Sequence, residues 1–205
     1  MNSSKKLRLW LVLAAAVLIA AGLGWMRFAA PAAPAGNLAG ATLGGAFTLT
    51  NQNGQTVREA DFGGQYRLIY FGYVFCPDVC PTDLALLGRG LQAFEQQSPA
   101  LGAKVAPIFI TIDPHRDTPA VLQPFVAAFH PRLVGLTGTP AQIAAVTQAY
   151  GVYSRRMETG DTENYLMDHS AMVYLYGADG RPIAFLPHQG LSAQAISQML
   201  ATYVH

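Results

Sequence analysis

Residues Leu68 to Asp83 read LIYFGYVFCPDVCPTD, an apolar run that gives way to two cysteine-proline pairs. Leu68 to Phe71 is short and continuously apolar, the pattern of a strand buried on both faces. A helical pattern follows, with Leu84, Leu87, Leu91 and Phe94 on one face, and Gly88 and Gly90 weaken it. Cys76 precedes Pro77 and Cys80 precedes Pro81, so steric clash disfavours the α region for both, while Pro81 suits the first turn of the helix. Both thiols are therefore expected in the strand-to-helix loop. That position lies at the carboxyl end of a parallel strand and beside a helix amino terminus, where unpaired N–H groups favour thiolate.

On either side of this segment, strand and helix signals alternate. Downstream come a strand from about Ile108 to Ile112, with Pro107 expected at its start, and a helix from about Pro119 to Phe129. Leu133 to Leu136 reads as a further strand, and Thr139-Pro140-Ala141-Gln142 as a capping box with proline at the first helical position. Met172 to Tyr176 and Ile183 to Leu186 flank Asp179-Gly180 as a hairpin, and a last helix runs from about Ser192 to Tyr203. Upstream, Phe47 to Val57 holds Asn53-Gly54 among β-prone residues, a second hairpin signal. The order predicts an α/β domain: a mostly parallel sheet covered on both faces, with an added amino-terminal hairpin and an antiparallel edge.

The chain has 205 residues, 51% hydrophobic and 12% charged, which fits one ordinary core and excludes a disordered polyelectrolyte. Residues 1–27 carry Lys5, Lys6, Arg8 and Arg27 and no acid, leaving 9 basic against 12 acidic side chains in the rest. With no basic run to neutralise phosphates, no nucleic-acid partner is expected.

Leu9 to Met26 is an uncharged run of 18 residues with Trp10 and Trp25 near its ends. At helical rise it spans about 27 Å against roughly 30 Å of hydrocarbon. The excess of Lys and Arg on its amino side orients that end to the cytoplasm. A cleaved signal peptide is the competing reading, since Ala30, Ala32 and Ala33 offer small residues to a peptidase. Arg27 and the length of the run favour an uncleaved anchor, and both readings export the domain. The expected organisation is a cytoplasmic stretch over 1–8, a transmembrane anchor over 9–26, a Pro/Ala/Gly linker over 27–41 and a folded domain over 42–205, with a bacterial periplasm as its home.

Thiolate serves equally as nucleophile and soft-metal ligand, so the cysteine pair leaves three readings open. A structural disulfide closing so short a loop contributes only about 2 kcal/mol by the chain-entropy model. Disulfide exchange is weakly signalled, because the spacing is CxxxC and not CxxC. Metal binding needs a further ligand from the five histidines. His130, His188 and His205 read as solvated, and His115, in DPHRDTP from Asp113 to Pro119, reads as a loop histidine near a neighbouring strand end. His169, in Met167-Asp168-His169-Ser170, sits at the mouth of an apolar strand. Position alone leaves it between a solvated residue and a metal ligand. Met157 and Met167 offer thioether sulfur, although methionines near loops more often pack.

CPDVCP after an apolar strand, DPHRDTP and DHS together resemble the Sco/SenC copper metallochaperones over roughly residues 42 to 204. These are membrane-anchored proteins of thioredoxin fold that help assemble the dinuclear copper centre of cytochrome c oxidase. The resemblance implies that Cys76, Cys80 and His169 bind copper, and softness agrees: two thiolates and an imidazole suit Cu(I), and imidazole also suits Cu(II). Asp168 is then the candidate to orient the imidazole, and Asp78 a candidate to tune thiolate charge or contact a partner. Asp117 is expected to fix its loop by accepting nearby N–H groups. Implied partners are the copper-site subunit of the oxidase, a periplasmic copper donor and a thiol-disulfide reductase. The resemblance favours a metallochaperone over an enzyme. A tethered thiol-disulfide reductase, with Cys76 and Cys80 redox-active, is the alternative, although no proline stands at Asp168-His169-Ser170 where disulfide reductases of this fold carry a cis-proline.

Overall fold

The computed structural model describes residues 10–20, 35–158 and 164–205. The chain divides into two units, Met1–Ala32 and Ala33–His205. In the first, residues 10–20 form helix α1, whose apolar side chains Trp10, Leu18 and Ile19 are exposed. Residue 9 and residues 21–26 of the expected anchor, and 27–34 of the expected linker, lie outside the described residues. No helix among the described residues is long and apolar enough to cross a membrane.

The second unit is built on an eight-stranded sheet of order β1-β10-β9-β4-β5-β6-β2-β3. In chain order its elements are β1 (Gly36–Asn37), β2 (Thr48–Asn51), β3 (Thr56–Arg58), β4 (Tyr66–Gly72), α2 (Val79–Gln97), α3 (Pro99–Gly102), β5 (Val105–Thr111), α4 (Pro119–Ala127) and β6 (Val134–Thr137). Then follow α5 (Pro140–Ala149), β7 (Ser154–Arg156), β8 (Met167–His169), β9 (Met172–Tyr176), β10 (Pro182–Pro187) and α6 (Ala193–Tyr203). Strands β7 and β8 form a separate antiparallel ribbon.

Only β4, β5 and β6 run parallel to one another. Both hairpins pair antiparallel with this centre, β2 on β6 and β9 on β4, so the sheet is mixed and not mostly parallel. The reason is that each hairpin supplies its own tight turn, at Gly54 (φ +77°) and Gly180 (φ +83°), and docks without a crossover helix. Pro107 lies inside β5, opposite Leu68, and not at its start. Pairing with β6 begins only at Ile108, so the proline precedes the stretch hydrogen-bonded on both edges.

Alternation along β4 sends its side chains to two cores. Phe71 meets Tyr150 of the α5 terminus and Tyr174, while Tyr70 stacks on Phe109, which in turn meets Phe125 of α4. Leu84, Leu87, Leu91 and Phe94 of α2 are buried, as their spacing predicts. The glycines of α2 are there for close approach. A Cβ on Gly88 would stand 2.3 Å from the Phe129 carbonyl oxygen, and one on Gly90 2.6 Å from Ile196 Cβ of α6. At α5, Thr139 Oγ1 accepts the Gln142 N–H at 3.2 Å and Gln142 Oε1 accepts the Thr139 N–H at 2.8 Å, the reciprocal cap that its sequence signals.

Candidate metal centre

Strand β4 ends at Gly72, and the chain turns through Tyr73 to Asp78 before α2 begins at Val79. Cys76 is half-buried in this turn, whereas Cys80 is fully buried inside the first turn of α2. The pre-proline argument therefore holds for Cys76 and fails for Cys80. Proline in a first helical turn has no intrahelical bond to break, and the helix closes over Pro81 from two residues upstream. Gly72 makes room beneath it: a Cβ there would stand 2.9 Å from Cys80 Sγ.

The backbone N–H of Cys80 donates to Cys76 Sγ at 3.4 Å, and Cys80 Sγ lies 3.4 Å from His169 Nε2, across 89 residues of sequence. Both cysteines are free thiols. His169 is brought in by the β7–β8 ribbon, where it pairs with Ser154. Its ring stands edge-on to Tyr73 and Tyr70, with centroids 6.0 and 6.5 Å away. Nδ1 lies 3.2 Å from the Ser170 carbonyl oxygen, and Nε2 is the nitrogen facing Cys80.

These contacts divide the two thiols electrically. Cys76 is held far below the usual thiol range, first by its hydrogen bond with Cys80, then by His169 and by the backbone N–H groups of Cys80 and Asp78. Cys80 is pushed up by the same bond to Cys76 and by burial. The two shifts oppose each other: thiolate is favoured on Cys76, the more accessible sulfur, and the protonated thiol on Cys80. Burial also raises the Tyr73 phenol, to about 12.

Among the described residues no group of three or more His, Cys, Asp or Glu side chains forms a preformed metal cage. The three donors touch one another instead. Sulfur and nitrogen ligands sharing a tetrahedral ion at zinc-type bond lengths stand about 3.6 Å apart, so the 3.4 Å between Cys80 and His169 is already close to a ligand spacing.

The turn is held from outside by DPHRDTP. Asp117, fully buried, accepts the Thr111 hydroxyl at 2.6 Å and the Val74 N–H at 3.0 Å, which is the loop-fixing role its sequence position predicts. Asp113 accepts Arg116 Nε at 2.6 Å and the Tyr165 hydroxyl at 2.7 Å. The Arg116 guanidinium lies 3.6 Å from the Tyr165 ring centroid and 4.9 Å from that of Phe75.

A cleft of about 550 Å³ opens at this end, lined among others by Cys76, Asp78, Met157, Met167, Asp168, His169 and His188. Asp168 is exposed on β8, and it is the Ser170 carbonyl that meets His169 Nδ1. Asp78 is exposed at the amino cap of α2, and its side chain makes no capping bond. Exposed His115 lines a different cleft.

Two histidines read as solvated are otherwise. His130 is buried against Glu95 and accepts the Arg132 N–H at 3.2 Å on Nδ1. His188 lies 2.8 Å through Nδ1 from fully buried Asp83, which also accepts the Tyr70 hydroxyl at 3.1 Å. No local spacing connects His188 to Asp83, 105 residues apart.

The SCO1/SenC family model matches residues 35–205. The chain belongs to the SCO1/SenC family. It is 43% identical over 136 residues to the mitochondrial SCO2 homologue of Bos taurus, covering 66% of this chain and 50% of that protein. Against the mitochondrial SCO1 homologue 1 of Arabidopsis thaliana it is 38% identical over 145 residues, covering 71% and 42%. This SCO1/SenC chain thus spans about half the length of those relatives. Among solved structures, copper-bound ScoI of Bradyrhizobium japonicum superposes with a TM-score of 0.70 at 40% identity, covering 79% of this chain and 99% of that one. Copper-bound ScoI of Arabidopsis thaliana gives 0.72 at 32% identity, covering 78% and 96%. The thioredoxin-like α/β fold of this chain is that of these SCO1/SenC structures.

Proposed function

We propose that this SCO1/SenC protein is a copper metallochaperone that binds one Cu(I) through Cys76, Cys80 and His169 and delivers it to the dinuclear copper site of cytochrome c oxidase. The observation that carries the reading is the approach of Cys80 Sγ to His169 Nε2 at 3.4 Å, with Cys76 Sγ accepting the Cys80 N–H beside them. Two sulfurs and one imidazole suit Cu(I), and the imidazole lets the site also take Cu(II). Copper is cargo here, captured from a periplasmic donor and surrendered by ligand exchange to the copper-site subunit. Half-buried Cys76, on the solvent side of the pair, makes the first bond, and Cys80 closes the site as its proton passes to solvent. Asp78, on the rim between the cysteines, contacts the partner. The apolar run from Leu9 to Met26 anchors the domain to the bacterial inner membrane, with the domain in the periplasm.

The test is anaerobic Cu(I) competition against a chromophoric chelator on the reduced full chain, with His169→Ala alongside. One ion per chain, held at least about tenfold more weakly in the variant, is the expected result. No competitive binding, or binding indifferent to His169, overturns the reading. A phosphatase fused after His205 should be active in the periplasm; cytoplasmic activity alone overturns the orientation.

A second reading rests on the unequal thiols. A half-buried thiol favoured as thiolate beside a fully buried, protonated one is also the arrangement of a tethered thiol-disulfide reductase that keeps the oxidase copper-site cysteines reduced. Under it, His169→Ala retains reductase activity and Cys80→Ser abolishes turnover.

A further inference from the structure

His188 has three features of a metal ligand and is absent from the copper set proposed above. It follows β10 directly, and its backbone N–H donates to the Ala171 carbonyl at 3.0 Å. That bond ties it to the segment carrying His169, two residues upstream, so both histidines stand at one end of the sheet. Its side chain is 39% exposed and lines the same cleft as Cys76 and His169. Its Nδ1 is 2.8 Å from Asp83 Oδ1, and Asp83 is wholly buried and also accepts from Tyr70.

A carboxylate behind one ring nitrogen is the arrangement that prepares the other for a metal: it fixes the tautomer, orients the ring and raises the basicity of the free nitrogen. Asp83 accepts, so Nδ1 carries the proton and Nε2 the lone pair. Resting on the copper reading of the site, we propose that His188 Nε2 is an auxiliary copper ligand in the cleft, which holds the ion as it passes between the solvent mouth and the Cys76–Cys80–His169 centre. The step is pure ligand exchange. A copper–nitrogen bond to His188 forms as one bond to the centre or to the exchanging partner breaks. The ion keeps its charge, no electron moves, and the neutral ring binds through the Nε2 lone pair without releasing a proton. Met172, also lining the cleft and opposite Pro187 in the β9–β10 register, puts a soft thioether beside the same path.

His188→Gln tests the proposal, because glutamine still donates to Asp83 and removes only the ring nitrogen. The full chain is loaded with Cu(I), and transfer to a chromophoric chelator is followed by stopped flow. Transfer from His188→Gln should be about tenfold slower with equilibrium affinity within about threefold of the unaltered chain. In the His169→Ala background, where the auxiliary ligand must carry more, adding His188→Gln should weaken Cu(I) binding at least about tenfold further. Thermal unfolding of each variant confirms the fold. Equal transfer rates overturn the inference, as do equal affinities of the His169→Ala and doubly substituted chains, and in both cases the copper reading stands. Absence of Cu(I) binding by the unaltered chain overturns the copper reading and this inference together.

Discussion

Asp117 accepts the backbone N–H of Val74 across 43 residues of sequence, pinning the turn that carries Cys76 to the end of β5. Burial pushes this carboxyl from 3.8 up to about 6, against the hydrogen bonds from Thr111 and Val74 that lower it. Between those two pH values the folded chain binds more protons than the unfolded one. Stability therefore falls as pH rises through the window, and the cost, about 3 kcal/mol, is complete above it. Asp117→Asn removes this slope. In urea titrations from pH 4 to 7, the difference between the two proteins should move toward the variant by up to about 3 kcal/mol, over any constant offset from altered hydrogen bonds. Parallel pH curves would contradict the assignment.

The two thiols should differ in alkylation rate. Iodoacetamide should label Cys76 at weakly acidic pH and leave buried Cys80 untouched until the domain unfolds. Since Cys80 depresses Cys76 most, Cys80→Ser should move the pH midpoint of Cys76 labelling upward further than His169→Ala does. Mass spectrometry of the labelled peptide reads both. The reverse order would mean that the imidazole, and not the second thiol, sets the charge.

Glycine-to-alanine exchange inside a helix ordinarily stabilises by about 1 kcal/mol. At Gly88 the sign should reverse, because the new methyl meets the Phe129 carbonyl oxygen at 2.3 Å and backbone must shift. Overpacking of this kind costs about 1–3 kcal/mol, which exceeds the propensity gain. Chemical denaturation of Gly88→Ala settles it; a stabilised variant would show that the α2–Phe129 approach is loose.

Gly72→Ala should act on the site more than on the fold. Its Cβ would stand 2.9 Å from both Cys80 Sγ and Tyr70 Cε1, so the sulfur that meets His169 Nε2 is pressed out of its present position. Cu(I) affinity should fall about tenfold, as for other changes that displace a ligand without deleting it. Unchanged affinity would show that the Tyr70 ring, and not Cys80 Sγ, yields to the new methyl.

Much of this was legible because the signals are local. The turn at Asn53-Gly54, the cap at Thr139 and Gln142 and the leucine stripe of α2 each act within a few residues, where backbone sterics and helical period decide the outcome. What stayed hidden depends on contact between distant segments. Ser154 to Arg156 and Met167 to His169 are too short and too polar to declare themselves strands, yet their pairing delivers His169. Nothing near His188 foretells Asp83, and nothing near His130 foretells Glu95. Gly88 and Gly90 look like weak points until the neighbours that need the space are seen. Pro81 misleads because the pre-proline rule states a preference, which the first helical turn outweighs.

The rings of Tyr70 and Tyr73 stand nearly perpendicular to that of His169, and both tryptophans of the chain, Trp10 and Trp25, lie in the amino-terminal unit. Ultraviolet emission from the carboxy-terminal unit is therefore tyrosine emission alone, and two of its sources sit in ring contact with the imidazole. The centre has an optical reporter built into its walls. Excited below the tryptophan-selective range in a chain carrying Trp10→Phe and Trp25→Phe, those phenols give a label-free readout of occupancy, because a metal ion arriving beside them quenches their light.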